Sequence, residues 1–223
     1  MKFLTYGDRT LADIAVRLPG ATGVFRAHKL DFCCGGGISL KEAAAKRGLA
    51  VEDLEGELQA LDVAASAPAP ANTADLIDHI LTRYHAVHRA ELPELVRLAR
   101  RVESVHRGHP DVPAGLADLL AETLQELDTH MQKEEIMLFP MMKQDGHPMI
   151  VHPIAVMQGE HEEHGERLRL IEALTNGGVL PEDACSTWRA LYAGTRKLVD
   201  DVMEHIHLEN NLLFPRFFET AER

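Results

Sequence analysis

His130-Met131-Gln132-Lys133-Glu134-Glu135-Ile136-Met137-Leu138-Phe139-Pro140 places a histidine and a glutamate four residues apart, a spacing that stacks both side chains on one face of a helix. The chain writes the pattern again at His205-Ile206-His207-Leu208-Glu209-Asn210-Asn211-Leu212-Leu213-Phe214-Pro215, matching at the histidine, the glutamate and the closing Leu-Phe-Pro. Upstream of each copy stands a His-x-x-His pair, His85 with His88 and His161 with His164. Equivalent residues lie 75 or 76 positions apart. A repeat of that length carrying imidazoles and carboxylates in register predicts duplicated helical hairpins with a shared site between them, rather than a solenoid.

The rest of the chain agrees with an all-α protein. Its 223 residues suffice for a compact domain plus a smaller module. Aromatic residues are only 5%, and apolar residues recur at three- and four-residue steps. A net charge of −12, from 23 Lys and Arg against 35 Asp and Glu, argues against a nucleic-acid backbone or an anionic membrane surface as partner. No apolar run is long enough to span a bilayer, and the start Met1-Lys2-Phe3-Leu4-Thr5-Tyr6-Gly7-Asp8 lacks the apolar core of a signal peptide. The expected location is the cytoplasm. Three cysteines, two of them adjacent, make no disulfide framework and fit a reducing compartment.

Three parts are expected: a small helical domain over residues 1–62, a linker over 63–72 and a four-helix bundle over 73–223. In the first, Thr10 and Asp13 cap a short helix through Arg17, ended by Pro19 and Gly20, and a second runs from Thr22 to His28. Asp31-Phe32-Cys33-Cys34-Gly35-Gly36-Gly37 then sets two thiols on a glycine-rich loop, before the capping box Ser39-Leu40-Lys41-Glu42. Adjacent cysteines close only a strained ring, so a structural disulfide there is disfavoured. The thiols read either as a redox or persulfide pair or as soft ligands that briefly hold a metal or nitrosyl group, against the plainer reading of a tight turn of small residues. Ala64-Ala65-Ser66-Ala67-Pro68-Ala69-Pro70-Ala71 is a linker by composition.

Beyond it, the first long helix carries Leu76, Ile77, Ile80, Leu81, Tyr84, His85 and His88, with a kink expected at Pro93. The second reaches His130 and Glu134 and is expected to end near Pro140. The third, from about Ile154, carries His161 and His164, and the fourth carries Trp188, His205 and Glu209 and is expected to stop at Pro215. Ligand types on each of four helices make an antiparallel bundle the natural packing.

His85, His130, Glu134, His161, His205 and Glu209 together supply four nitrogen and two oxygen donors. That set suits two borderline ions bridged by the carboxylates: iron, with manganese or zinc also served, whereas calcium or magnesium would want oxygens alone and copper(I) sulfur. Six protein ligands for two ions leave coordination positions open for a small molecule or for departure of the metal. His88 and His164 read as outer groups or gates and Glu160 as an acid-base neighbour, while His207 should point away. The remaining histidines, His28, His79, His106, His109, His147 and His152, lack repeat partners and read as surface or loop residues. His161-Glu162-Glu163-His164 is not the zinc-protease signature, and the His-x-x-x-Glu order differs from the Glu-x-x-His of carboxylate di-iron bundles.

These residues resemble the hemerythrin-like cation-binding domain, and Asp31-Phe32-Cys33-Cys34-Gly35-Gly36 resembles the small domain that precedes it in the iron-sulfur cluster repair di-iron proteins. The likeness covers residues 1–62 and 73–217. It implies a non-haem centre of two iron ions with an oxo or hydroxo bridge, held by the six residues above, in a cytoplasmic and often homodimeric protein. It also carries over Cys33 and Cys34. The implied role is repair of iron-sulfur clusters damaged by nitric oxide or oxidants, by supplying iron to damaged iron-sulfur proteins. The alternative is a protein that binds or reduces nitric oxide or another diatomic ligand, and a third is a metal-stabilised bundle acting only through partners. Oxygen-carrying hemerythrins use a fifth histidine, and no residue in the repeat register supplies it, which argues against oxygen transport and for a more open centre.

Overall fold

The computed structural model describes residues 6–18, 20–62, 72–144 and 149–218. Most of the expected linker, from Ala64 to Ala71, together with the first five residues, Pro19 and His147, lies outside the described residues. Among the described residues the structure is helical, with an isolated bridge between Thr10 and Ser39 in place of strands. No helix among them is long and apolar enough to cross a membrane. Cα packing divides the chain into two compact units, Ile77–Val202 and, separately, Met1–Leu76 with Met203–Arg223.

The unit that includes the N-terminal residues begins with α1 (Leu11–Arg17), started by the Thr10 hydroxyl, which accepts from the Asp13 N–H at 3.1 Å. Then come α2 (Ala21–Ala27), α3 (Leu40–Arg47) and α4 (Val51–Asp62). The capping box forms: Ser39 accepts from the Glu42 N–H and Glu42 accepts from the Ser39 N–H. Gly48, at φ 67°, closes α3 in the left-handed region where a side chain would be strained. Leu11, Ile14, Phe25, Phe32, Leu40, Leu54 and Leu58 are buried, each contributing about 1.5–3 kcal/mol on leaving water. The same unit holds the last turns of the chain, where Arg26 pairs with Glu204 at 2.9 Å and His207 lies edge-on to Phe32 with ring centroids 5.4 Å apart.

The other unit is the bundle. Its first helix is α5 (Thr73–Ile80), which enters this unit at Ile77, followed by a π-helical turn (Leu81–His85) and α6 (Ala86–Val105). The second is α7 (Leu116–Lys133), a π turn (Glu134–Leu138) and α8 (Phe139–Lys143). The third is α9 (Val151–Leu174). The fourth, α10 (Ser186–His207), starts in this unit and finishes in the other, followed by a π turn (Leu208–Leu213) and a 3-10 turn (Phe214–Phe217). Apolar stripes face inward as the periodicity requires: Leu92, Leu95 and Val102; Leu116, Leu120 and Leu127; Ile154, Leu168 and Ile171; Trp188, Leu191 and Leu198. Gly194 lets the first and fourth helices approach closely, because a Cβ there would fall on the Leu95 side chain. Outside the same contact, Arg83 grips Asp201 with both nitrogens, at 2.7 and 3.1 Å.

Three expectations change. α6 runs unbroken through Pro93, and the local irregularity falls two to three turns earlier, at the Leu81–His85 π turn. Pro140 does not end the second helix; it sits in the first turn of α8, where a missing N–H costs little, and helix continues to Lys143. Pro215 likewise lies inside the closing 3-10 turn, which continues to Phe217.

Candidate metal centre

Within the bundle unit the sequence repeat becomes a set of converging side chains. His85 ends its π turn, Glu134 begins another, and His130 and His161 sit on regular helix. All four are essentially removed from solvent. The two oxygens of Glu134 face different imidazoles, Oε2 standing 3.5 Å from His85 Nε2 and Oε1 standing 3.5 Å from His130 Nε2. His161 Nε2 lies 3.1 Å from His130 Nε2, and ligand atoms of His130, Glu134 and His161 all fall within 4.8 Å of one another.

These separations test whether the residues fit a metal. Two donors on adjacent corners of one ion, each about 2.1 Å from it, stand about 3 Å apart. The spacings here match, whereas 3.5 Å is long for a hydrogen bond between imidazole and carboxylate. A buried carboxylate also needs a strong cationic partner to offset its lost hydration. The donor set fits a metal: Glu134 with His85 on one side, and with His130 and His161 on the other, are the residues that would hold it. In the other unit His205 and Glu209 repeat the motif: both are buried, and His205 Nε2 lies 3.0 Å from Glu209 Oε1.

Each Nε2 that faces the carboxylate leaves a ring Nδ1 on the far side, and two of these are held by acids. His85 Nδ1 bonds Glu135 at 2.8 Å, and Glu135 also accepts from Arg89 at 2.6 Å. Burial pushes the Glu135 carboxyl up, but Arg89 and His85 outweigh it and hold it below its ordinary range. His130 Nδ1 bonds Glu160 at 2.9 Å, and Lys133 bonds the other Glu160 oxygen at 2.5 Å. The His130 ring and the Lys133 ammonium hold Glu160 down at about 2. Carboxylates in this position fix the tautomer and raise the basicity of a metal-binding imidazole. Glu135→Gln and Glu160→Gln are therefore expected to lower metal affinity about 10- to 100-fold, measured as faster metal loss to a chelator; unchanged release would reduce both acids to surface ion pairing.

His88 and His164 are buried as well. His164 stacks edge-on against His130 with centroids 4.9 Å apart and borders a cavity of about 310 Å³ whose rim includes Glu122, Glu126, Glu160 and Glu163. Lys133 shares that rim and pairs with Glu160, and Arg167 pairs with Glu122 and Glu126, so most of the acids there are charge-compensated. His207 is buried rather than merely turned aside: Asn211 bonds its Nδ1 at 2.9 Å, and burial, with Arg26 nearby, pulls the imidazole down to about 4.

Sequence reasoning missed three features. Nothing in the letters distinguishes a π turn, yet such turns fall at His85, Glu134 and Glu209. Glu135 was overlooked because Glu134 drew the attention; its signal was the doubled glutamate, whose second member points off the ligand face. Asn210 and Asn211 were unread, although their side-chain amides donate to the carbonyls of Cys33 and Phe32, each at 3.4 Å.

Those contacts hold the cysteine loop within the N-terminal unit. Cys33 is buried and Cys34 half-exposed, and neither is in a disulfide. The Cys34 thiol, burial and the Asp31 carboxylate push the Cys33 thiol well above its ordinary range, which favours the protonated form as long as no cation is bound beside it.

Comparison with known proteins bears on both parts of the chain. Residues 76–217 match the Hemerythrin HHE cation binding domain, and residues 7–62 match a domain family described only as of unknown function, DUF542. The iron-sulfur cluster repair protein YtfE of Pectobacterium atrosepticum is 46% identical over 219 residues, covering 96% of this chain and 98% of the relative. YtfE of Escherichia coli O157:H7 is 46% identical over 218 residues with the same coverage. A protein of Haemophilus influenzae named a probable iron-sulfur cluster repair protein is 43% identical over 218 residues, again covering 96% and 98%. With buried imidazoles arranged around a two-sided carboxylate and likeness along nearly its whole length, the chain belongs to the family of iron-sulfur cluster repair proteins built on the hemerythrin HHE domain.

Proposed function

We propose that this chain repairs iron-sulfur clusters damaged by nitrosative or oxidative stress, by supplying iron from a non-haem di-iron centre. His85, His130, Glu134, His161, His205 and Glu209 are its ligands, for two iron ions with an oxo or hydroxo bridge. One observation carries the reading: a single buried carboxylate, Glu134, turns one oxygen to His85 and the other to His130. The sequence repeat supplies the second half, since Glu209 stands to His205 as Glu134 stands to His130. When bound, the two ions supply a redox-active, exchangeable iron store. The chain's own groups hold it with few ligands and anchor two imidazoles through Glu135 and Glu160.

The domain organisation goes with this reading: a thiol-bearing part over residues 1–62, a linker over 63–72 and an iron-holding part over 73–223. So do a cytoplasmic location and a homodimer, the latter checked by light scattering of the purified chain. Damaged iron-sulfur proteins are the partners.

Open positions on the metal also favour the second reading, in which nitric oxide is bound or reduced there. Anaerobic titration of the reduced, iron-loaded chain with nitric oxide, run beside repair of a nitrosylated cluster protein, separates the readings. Restored clusters with iron leaving the chain support repair. Nitrous oxide formed with turnover, without repair, supports the enzyme. Tight binding without product or repair supports a buffer. Repair that persists after iron is replaced by zinc would overturn iron supply and favour a bundle acting through its partners.

A further inference from the structure

Away from the bundle's histidines, one more group of donors converges. Asp31, Cys33 and Cys34 bring one carboxylate oxygen and two sulfurs within 4.8 Å of one another, with Cys33 Sγ 3.4 Å from Asp31 Oδ1. A carboxylate at about 2.1 Å and a thiolate at about 2.3 Å from a tetrahedral ion stand about 3.6 Å apart. Cys33 and Asp31 are thus spaced as two corners of such a site, and the Cys34 sulfur lies within 4.8 Å of both.

The loop around them is built rather than loose. Asp31 Oδ1 accepts from the N–H groups of Cys34 and Gly35 at 3.1 and 3.0 Å, curling the chain so that both thiols return toward its carboxylate. Gly36 N–Cα–C packs against the Phe32 carbonyl, and the Gly36 carbonyl accepts from the Ala12 N–H at 3.0 Å. From the other side Asn210 and Asn211 hold the Cys33 and Phe32 carbonyls, so the loop is tied to the residues that directly follow Glu209. Cys33 is buried, while Asp31 and Cys34 are partly open to solvent. That is a site with a closed back and an accessible front.

We infer that Asp31, Cys33 and Cys34 form a second, mononuclear metal site that takes ferrous iron in transit between the chain and its client. The inference rests on the iron-supply reading and adds a place for the cargo. Two thiolates and one carboxylate suit a borderline divalent ion, and three protein ligands leave a fourth position through which a client's thiolate can take the metal over. On binding, each thiol releases its proton to solvent as its metal-sulfur bond forms, and the iron stays ferrous throughout. Handover exchanges these bonds for bonds to the client, with no net redox change.

Cobalt(II), added without oxygen to the full chain already loaded with iron, reports the site through its thiolate charge-transfer absorption. The expected result is a band that saturates at one further equivalent and is lost in Cys33→Ser and in Cys34→Ser, with Asp31→Asn needing at least about tenfold more cobalt. Because Cys33 is buried, Cys34→Ser with unchanged far-ultraviolet dichroism is the decisive variant. No band in the wild-type chain, or a band that survives Cys34→Ser, overturns the site. Glu134→Ala separates this inference from the reading beneath it. A band retained there while bundle iron is lost supports an independent site. A wild-type chain that holds bundle iron and repairs clusters but gives no band removes this inference alone. A chain that binds cobalt here but never holds iron in the bundle keeps the thiol site and removes the iron-supply reading.

Discussion

Glu134→Ala is expected to empty the proposed di-iron centre, lowering metal affinity by well over the 10- to 100-fold that loss of a ligand's hydrogen-bond partner costs. The reason is that the two Glu134 oxygens serve different imidazoles, so the substitution takes a donor from the position beside His85 and from the position beside His130. Glu209→Ala, by the repeat, is expected to act in the same direction. A ligand can be told from a structural residue by the sign of the stability change in the metal-free chain. Glu134 is fully buried, and a buried carboxylate without its cation costs solvation free energy. The metal-free variant is therefore expected to melt no lower than metal-free wild type, while the gap of several kcal/mol that bound metal opens in the wild type disappears. Iron per chain by plasma emission, with paired melts in the presence and absence of iron, gives the answer. A variant that keeps its iron, or that is destabilised equally with and without it, would show that Glu134 holds the bundle together instead of holding metal.

Much of this centre was legible because it is made of periodicity. A histidine and a glutamate four apart must share a helical face, and a second copy of the pair with its own upstream His-x-x-His left few packings other than a bundle. The capping box at Ser39 was equally plain, since its hydrogen bonds are local and its residue types specific. What could not be read was the backbone's response to crowding donors inward. Regular helix places His130 and Glu134 on one face, yet at Glu134 and again at Leu208–Leu213 an extra residue is taken into the turn, and no side-chain preference announces that. The same turns explain why Pro140 and Pro215 misled. Each follows a π turn, where the hydrogen-bond register restarts and a residue without an N–H is tolerated. Glu135 and Asn210 escaped because their partners, His85 and Cys33, are 50 and 177 residues away in sequence.

The three glycines of the cysteine loop are alike on the page and unlike in space, and Gly36→Ala is expected to destabilise the N-terminal unit by about 3 kcal/mol, the upper end of the cost of overpacking. A Cβ on Gly36 would overlap the Phe32 carbonyl oxygen, and would come within 3.0 Å of the Phe32 carbonyl carbon and 3.1 Å of Ala12 Cβ. Both obstructions on Phe32 are backbone, which cannot swing aside as a flexible side chain can. Moving that carbonyl would also break its bond from Asn211, and moving Gly36 would break the bond from the Ala12 N–H at the start of α1. Gly37→Ala meets nothing within 4 Å and should change stability by less than about 0.5 kcal/mol. Two readouts check the contrast. Amide exchange at Ala12 should quicken in Gly36→Ala and stay as in wild type in Gly37→Ala. Alkylation of the buried Cys33 by a bulky maleimide should rise at least about tenfold in the first variant alone, since an opening about 1.4 kcal/mol easier is ten times more populated. Equal behaviour of the two alanines would mean that the loop is held by its side chains alone, and that the close return of backbone on backbone at Phe32 and Gly36 does not set the spacing of Asp31, Cys33 and Cys34.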